Sequence, residues 1–246
     1  MKRLFDIVVS ALGLVVASPV LLPVMFLIWR QDRFSPFYIA PRVGLRERLF
    51  DMIKLRSMIK NADKSGVDST SANDRRITPV GQFVRKYKLD ELTQLWNVLR
   101  GEMSLVGPRP NVKRETDLYT AEEKKLLSVR PGITDFASIV FSDEGEILAG
   151  REDPDLSYNQ LIRPGKSRLG IFYVEKRSLA LDIRLIWLTA VAILSKRRAL
   201  DGVVATLRRM NAPAELVEIS MRDKPLEPAP PPGALNIVTS RDAVPT

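Results

Sequence analysis

Two neighbouring carboxylates, Asp90 and Glu91, stand between leucines in the stretch KLDELTQLW, residues 88–96. Leu89, Leu92, Leu95, Trp96 and Leu99 recur at helical spacing and Gly101 follows as a stop. The pattern predicts a helix over 89–100 with both acids in its first turn. Acids are common there because the exposed N–H groups and the helix dipole favour negative charge, so a solvated helix start is the plain reading. The chemical reading divides the labour, because successive helical side chains point about 100° apart. An aspartate can attack phosphorus as a covalent nucleophile. The glutamate beside it can hold a divalent cation that neutralises phosphate oxygens.

Basic residues supply the complementary charge. In Gly107-Pro108-Arg109-Pro110 both proline rings fix φ and each restricts the residue before it, which presents Arg109 on an extended, low-entropy backbone. A planar guanidinium held this way suits bidentate contact with a phosphate or a base edge; the plain reading is a rigid turn with an exposed arginine. Arg130 repeats the theme ahead of Pro131-Gly132, again with a plain turn as the other reading. Lys54 and Arg56, two apart in IKLRSM, would share one face of a strand, as paired phosphate ligands or as a solvated face.

Composition narrows the chemistry. The 246-residue chain has no Cys and no His, which excludes disulfides, thiol nucleophiles, Ser-His-Asp triads and zinc sites built on those residues. Catalysis would rest on carboxylates, Lys, Arg and hydroxyls with a hard cation, for which Mg²⁺ fits best and Mn²⁺ is the second choice. The balance of 38 basic against 29 acidic residues, net charge +9, points to nucleic acid, anionic lipid or a phosphorylated substrate. Basic runs show little aromatic interleaving and no nucleic-acid motif, so no nucleic-acid partner is expected.

The elements that must position these residues begin with Leu4 to Trp29, LFDIVVSALGLVVASPVLLPVMFLIW, which is nearly all apolar. As a straight helix it would reach roughly 39 Å, enough to cross a hydrocarbon core. The run is too long for a cleaved signal peptide. Pro19 deletes a backbone hydrogen bond mid-run and Pro23 follows one turn later, so a break is expected at Ser18-Pro19, where the Ser18 hydroxyl can satisfy a freed carbonyl. Lys2 and Arg3 precede the run and Arg30, Arg33, Arg42, Arg46 and Arg48 follow it. The positive-inside rule pulls both ends to the cytoplasmic side, which favours a re-entrant hairpin over a single-pass anchor.

Residues 34–200 read as one globular domain. Short apolar stretches at 37–39 and 49–53 are strands or buried turns, 60–76 is a polar surface loop, and Thr78-Pro79 starts a helix as cap and first residue. Met103 to Val106 is a short strand. Ser178 to Arg198 is an apolar helix interrupted by Asp182 and Arg184, read as interfacial or core. Seven of the 17 prolines fall between Pro213 and Pro245, which predicts a mostly disordered tail over 201–246 with one helical turn near 203–210.

The blocks KRLFDIVVS…SP, PRVG…FDMIKLRSM, DRRITPVGQFVRKYKLDELTQLWNVLRGEMSLVGPRP and VRPGITD, in this order and spacing over residues 1–200, resemble the bacterial sugar transferase family. More narrowly they resemble its small monotopic polyprenyl-phosphate phosphoglycosyl transferases. The resemblance implies a helix-rich α/β fold with a re-entrant membrane helix at 1–33 and a catalytic domain on the cytoplasmic face of the bacterial plasma membrane. It implies that Asp90 attacks the β-phosphate of a UDP-sugar, expelling UMP, and that polyprenyl (undecaprenyl) phosphate then takes the sugar phosphate, starting polysaccharide or glycoconjugate assembly. Glu91 would ligate Mg²⁺, Arg109 between Pro108 and Pro110 would bind the nucleotide, and Ser18-Pro19 would make the membrane break. Lys54, Arg56 and Arg130 occupy family positions for phosphate contact, the acid at Asp182 has no assigned role, and a homodimer is left open. Many relatives carry a glycine after the Pro-Gly-Ile-Thr run where this chain has Asp135-Phe136-Ala137-Ser138, a difference that bears on sugar preference. The rival reading is a non-enzymatic membrane-anchored scaffold that binds anionic lipid or protein partners.

Overall fold

A computed structural model describes residues 1–62 and 74–240 of the chain. It opens with one long helix, α1 (Lys2–Asp32), followed by an antiparallel hairpin of β1 (Phe37–Val43) and β2 (Leu49–Leu55) with Tyr38 opposite Lys54. Then come α2 (Pro79–Lys86), α3 (Leu89–Leu92) and α4 (Leu95–Arg100). Strand β3 (Ser104–Val106) pairs in parallel with β4 (Gly132–Thr134) across α5 (Lys113–Thr116). Short helices α6 (Phe136–Val140), α7 (Glu144–Ile147) and α8 (Pro154–Ser157) lead through a π-type turn into α9 (Arg163–Lys176). The last three are α10 (Leu179–Leu194), α11 (Lys196–Arg209) and α12 (Ala214–Met221).

The main core gathers Val98, Met103, Phe136, Leu169, Leu185 and Leu207, so helices from both halves of the chain close over the parallel strand pair. A second, smaller cluster of Leu21, Val24, Ile28, Leu55, Val84 and Leu89 fastens the last third of α1 to β2, α2 and α3. The first turns of α1 are fastened by polar groups instead. Arg3 donates to the carbonyls of Val98 and Leu99, and Lys2 pairs with the buried Asp182 at 2.5 Å. Asp6, 2% exposed, accepts from Ser104 Oγ and Leu105 N. Asp182, without a role in the sequence reading, is thus the anchor that joins α10 to the start of α1. The outward face of α1, with Leu4, Val8, Leu12, Val16, Leu22 and Phe26, is exposed and apolar, and the helix is long and apolar enough to cross a membrane.

Four expectations need revision. First, α1 runs unbroken through Pro19 and Pro23, where an interruption was expected. Pro19 leaves the Val15 carbonyl without its N–H donor, and the Ser18 hydroxyl donates to that carbonyl at 2.8 Å. Second, the predicted helix over 89–100 is two helices. Gln94 N bonds Glu91 O and Trp96 N bonds Thr93 O, three-residue spacings that tighten the middle, and Thr93 Oγ1 bonds the Asp90 carbonyl. Third, the segment after 200 is not mostly disordered, since α11 and α12 are packed and Pro231, Pro232 and Val238 are buried beyond them. Fourth, the helix expected over Ser178 to Arg198 ends at Leu194, where Ser195 turns extended and caps α11. The Thr78 cap, accepting from Gly81 N at 3.0 Å, and the Gly101 stop at φ 84 stand where the sequence puts them. Most of the 60–76 stretch lies outside the described residues.

Candidate active site

The site is built where β2 meets α3 and α4. Asn97, fully buried, accepts from Ile53 N at 3.0 Å and donates to Asp51 O at 2.7 Å, while Thr93 Oγ1 donates to Ile53 O at 3.2 Å. Both backbone groups of Ile53 are thereby tied to the segment that carries the carboxylates, and the next residue, Lys54, is held beside them. Lys88 enters α3 in the left-handed region (φ 55), turning the chain so that Asp90 and Glu91 follow at once.

Asp90 and Glu91 separate as their helical angle requires. Glu91 pairs with Arg109 Nη2 at 3.0 Å. One oxygen of Asp90, Oδ1, is buried and has no hydrogen-bond partner among the described residues. Their electrostatics diverge as well. Burial raises the Asp90 carboxyl above its ordinary range, with Lys54 opposing the rise. Burial would also raise Glu91, but Arg109, Lys54 and Lys88 outweigh it and hold that carboxyl at about 2. Lys54 is lowered to about 8 by burial and by the nearby Arg109. Glu91 raises Arg109 still further above its ordinary value.

Arg109 is aimed by a close strand contact. Gly107 N donates to Thr134 O and Gly132 N to Pro108 O, both at 2.9 Å, and a Cβ on Gly132 would fall 2.0 Å from Gly107 N. Only hydrogen side chains permit this approach. It lets Arg109 Nη1 reach Ile133 O at 3.1 Å while Nη2 keeps Glu91. Pro108 and Pro110 line the same cleft, which has a volume of 1250 Å³.

The structure therefore brings Lys54, Asp90, Glu91 and Arg109 together. Arg56 reaches the cleft, but its guanidinium is taken by both oxygens of Asp32 at 2.5 and 2.7 Å, where it ties the end of α1 to β2. Arg130 does not line the cleft, and its Nε donates to Gly101 O at 2.8 Å. Ser18 and Pro19 belong to α1 and are not in the cleft. Sequence reasoning passed over Arg85 and Lys88, which line the cleft near Asp90; the run RKYK just before the dyad is the signal that could have found them. It also passed over the Glu144–Lys166 ion pair, which nothing local in the sequence marks. Asp135, read from the sequence only as a departure that bears on sugar preference, caps α6 with its carboxylate, which burial raises.

The carboxylates of the cleft are candidate ligands for a divalent cation. Among the described residues no three or more metal-ligating side chains gather, so a cage made of protein alone is not built. Mg²⁺ does not need one, since it takes one or two carboxylates and completes its shell with waters and substrate phosphates. The Glu91 carboxylate spends one oxygen on Arg109, and the unpartnered Asp90 Oδ1 lies next along the chain, so the residues fit a cation shared with a diphosphate.

The profile of the bacterial sugar transferase family matches residues 1–196. The chain is 34% identical over 211 residues to the exopolysaccharide production protein ExoY of Sinorhizobium fredii, covering 80% of this chain and 86% of that protein. It is 37% identical over 205 residues to an undecaprenyl-phosphate glucose phosphotransferase of Komagataeibacter xylinus, covering 80% of this chain and 36% of that one. It is 35% identical over 211 residues to an undecaprenyl-phosphate galactose phosphotransferase of Salmonella typhimurium, covering 80% and 41%. The match thus spans most of ExoY but less than half the length of the two phosphotransferases.

Proposed function

The chain belongs to the bacterial sugar transferase family, and from that premise we propose that it transfers a sugar 1-phosphate from a UDP-sugar to polyprenyl phosphate. The observation that carries the reading is the unpartnered, buried Asp90 Oδ1 beside Lys54 and the Glu91–Arg109 pair. A carboxylate oxygen without a hydrogen bond is a stronger nucleophile than a solvated one, and Lys54 opposes the rise that burial imposes on the Asp90 carboxyl.

In the first half-reaction an Asp90 oxygen attacks the β-phosphorus of the donor. A new P–O bond forms to the carboxylate, the bond to the bridging oxygen breaks, and UMP leaves with that oxygen and its electron pair. In the second, an oxygen of polyprenyl phosphate attacks the same phosphorus. The acyl-phosphate bond breaks, Asp90 returns as a carboxylate, and the product is a polyprenyl-diphospho-sugar. Arg109 and Lys54 offset the repulsion between carboxylate and diphosphate. Mg²⁺ held by Glu91 and the diphosphate oxygens would add charge neutralisation when bound.

The long apolar α1 supports a membrane placement. A helix of 31 residues reaches roughly 46 Å, yet it is fastened to one folded body from Lys2 and Asp6 through Leu21 and Ile28 to Asp32. A helix crossing the bilayer would carry its far end away from that body. Our reading is monotopic: α1 is embedded in one leaflet from the cytoplasmic side, and its apolar outward face meets lipid. Polyprenyl phosphate then reaches the cleft from the leaflet, past the exposed apolar Phe34 and Ile59 of its lining and toward the basic Lys88 and Arg85.

The test is UMP release by detergent-solubilised protein with Mg²⁺, undecaprenyl phosphate and a panel of UDP-sugars, beside Asp90→Asn. Release with at least one sugar, abolished in the variant, supports the reading. Release that survives in the variant removes Asp90 from the covalent role, and no release with any sugar opposes the reaction class.

A further inference from the structure

The chain past residue 196, where the family match ends, is bonded to segments that line the cleft. α11 and α12 enter the main core through Leu200, Val203, Leu207 and Leu216. The extended stretch after α12 then returns along the start of α9. Ala229 N donates to Gln160 O at 3.1 Å, Gln160 Nε2 to Val238 O at 2.8 Å, Arg168 Nη2 to Pro230 O at 3.0 Å, and Thr120 Oγ1 to Pro232 O. Prolines suit this course, since they offer carbonyl acceptors and have no N–H to satisfy. The segment they hold, 158–168, contributes Tyr158, Arg163 and Lys166 to the cleft lining.

A second grip is ionic. Asp143, a cleft-wall residue between α6 and α7, pairs with Lys196 and with Arg222 Nη2, the latter at 2.9 Å. The Arg222 guanidinium also lies 5.5 Å from the centre of the Phe141 ring. Arg222 does this from the left-handed region (φ 53), which residues other than glycine seldom occupy. Phe141 in turn abuts Gly165, where a Cβ would sit 2.6 Å from its ring edge, so the two gripped segments are packed against each other. The wall they form carries the Glu144–Lys166 pair, and Glu144 acts electrostatically on Arg109.

We propose that residues 196–240 are a strap that sets the part of the cleft wall built from α6–α9, and that Arg222, acting through Asp143, is a positioning residue for the sugar-nucleotide donor. The donor is the substrate concerned because this wall is polar and built from α6–α9, whereas α1, which would bring the lipid acceptor, packs on α2–α4 and β3. The assignment of substrates rests on the proposed reaction; the mechanical claim does not.

The experiment compares full-length Arg222→Ala and Arg222→Lys with the unaltered chain, by backbone hydrogen exchange and by steady-state UMP release with donor and undecaprenyl phosphate varied separately. Arg222→Ala should speed exchange over 141–148 and 158–166. It should raise the donor KM about fivefold or more and leave the acceptor KM within about twofold. Arg222→Lys should restore most of both effects. Unchanged exchange in the wall overturns the strap. Faster exchange with an unchanged donor KM, or with both KM values moved alike, overturns the positioning role. If the unaltered protein turns over no sugar, the proposed reaction fails while hydrogen exchange still decides the mechanical claim.

Discussion

Asp6→Leu should destabilise the protein even though it makes α1 more apolar. Asp6 is 2% exposed and its oxygens accept from Ser104 Oγ at 3.0 Å and from Leu105 N at 3.3 Å. Hydrogen bonds to a charged acceptor contribute about 1.5–3 kcal/mol each, and a stranded buried Leu105 N–H costs about 1–3 kcal/mol more. Burying the leucine side chain returns about 1.5–3 kcal/mol. The net loss is about 2.5–6 kcal/mol, which in a chain of this size lowers Tm by roughly 5–25 °C. Asp6→Asn keeps an acceptor for Leu105 N and should cost only about 1 kcal/mol. Thermal unfolding of the detergent-solubilised variants measures the ranking, with membrane-fraction yields as a control on insertion. If Asp6→Leu melts at or above the unaltered protein, Asp6 is a tolerated liability in an apolar helix and not the anchor that ties α1 to β3.

Three further outcomes follow from the site. Asp90→Asn should raise stability while abolishing turnover. The folded carboxyl lies above its unfolded value, so its ionised form costs the folded state stability at neutral pH, a cost that vanishes below the unfolded value and that the amide removes; a lower Tm for Asp90→Asn would contradict this. Lys54 is a cation below about 8 and neutral above, so turnover should fall as pH rises through about 8, and Lys54→Arg should carry that limb upward; a pH–rate profile whose alkaline limb is the same in both proteins would remove Lys54 as its cause. Gly132→Ala would place a Cβ 2.0 Å from Gly107 N, forcing β3 and β4 apart and moving Arg109. We expect losses of about 2 kcal/mol or more in stability and about tenfold or more in kcat/KM, and full activity would show that the close approach does not aim Arg109.

Parts of the fold and of the candidate site were legible because their signals are local. Asp90-Glu91 in a first helical turn, Arg109 between two prolines, the Thr78 cap and the Ser18 hydroxyl below Pro19 each depend on neighbours within four residues. What could not be read depends on distant partners. The split at Thr93-Gln94 serves the docking of Thr93 and Asn97 onto Ile53, some 40 residues away. Arg56 was assigned to phosphate because its chemistry permits it, yet Asp32, at the end of a membrane-type helix, claims it. Asp182 looked like an interruption of an apolar helix until Lys2 and Tyr173 supplied its partners. Leu200, Val203, Val204 and Leu207 give α11 a helical apolar face that the proline count overshadowed, and the stretch beyond α12 read as disordered because it lacks one. Its order comes instead from carbonyls that Thr120, Gln160 and Arg168 find, which no window of sequence contains.

The most direct test of the central claim is the intact mass of the protein after incubation with Mg²⁺ and a UDP-sugar that it uses, with polyprenyl phosphate withheld. The account predicts a mass gain of one sugar phosphate, located on Asp90 by peptide mapping, absent in Asp90→Asn and lost on adding undecaprenyl phosphate. Rapid turnover with both substrates but no such adduct at any time would contradict it and favour direct attack of the lipid phosphate on the donor.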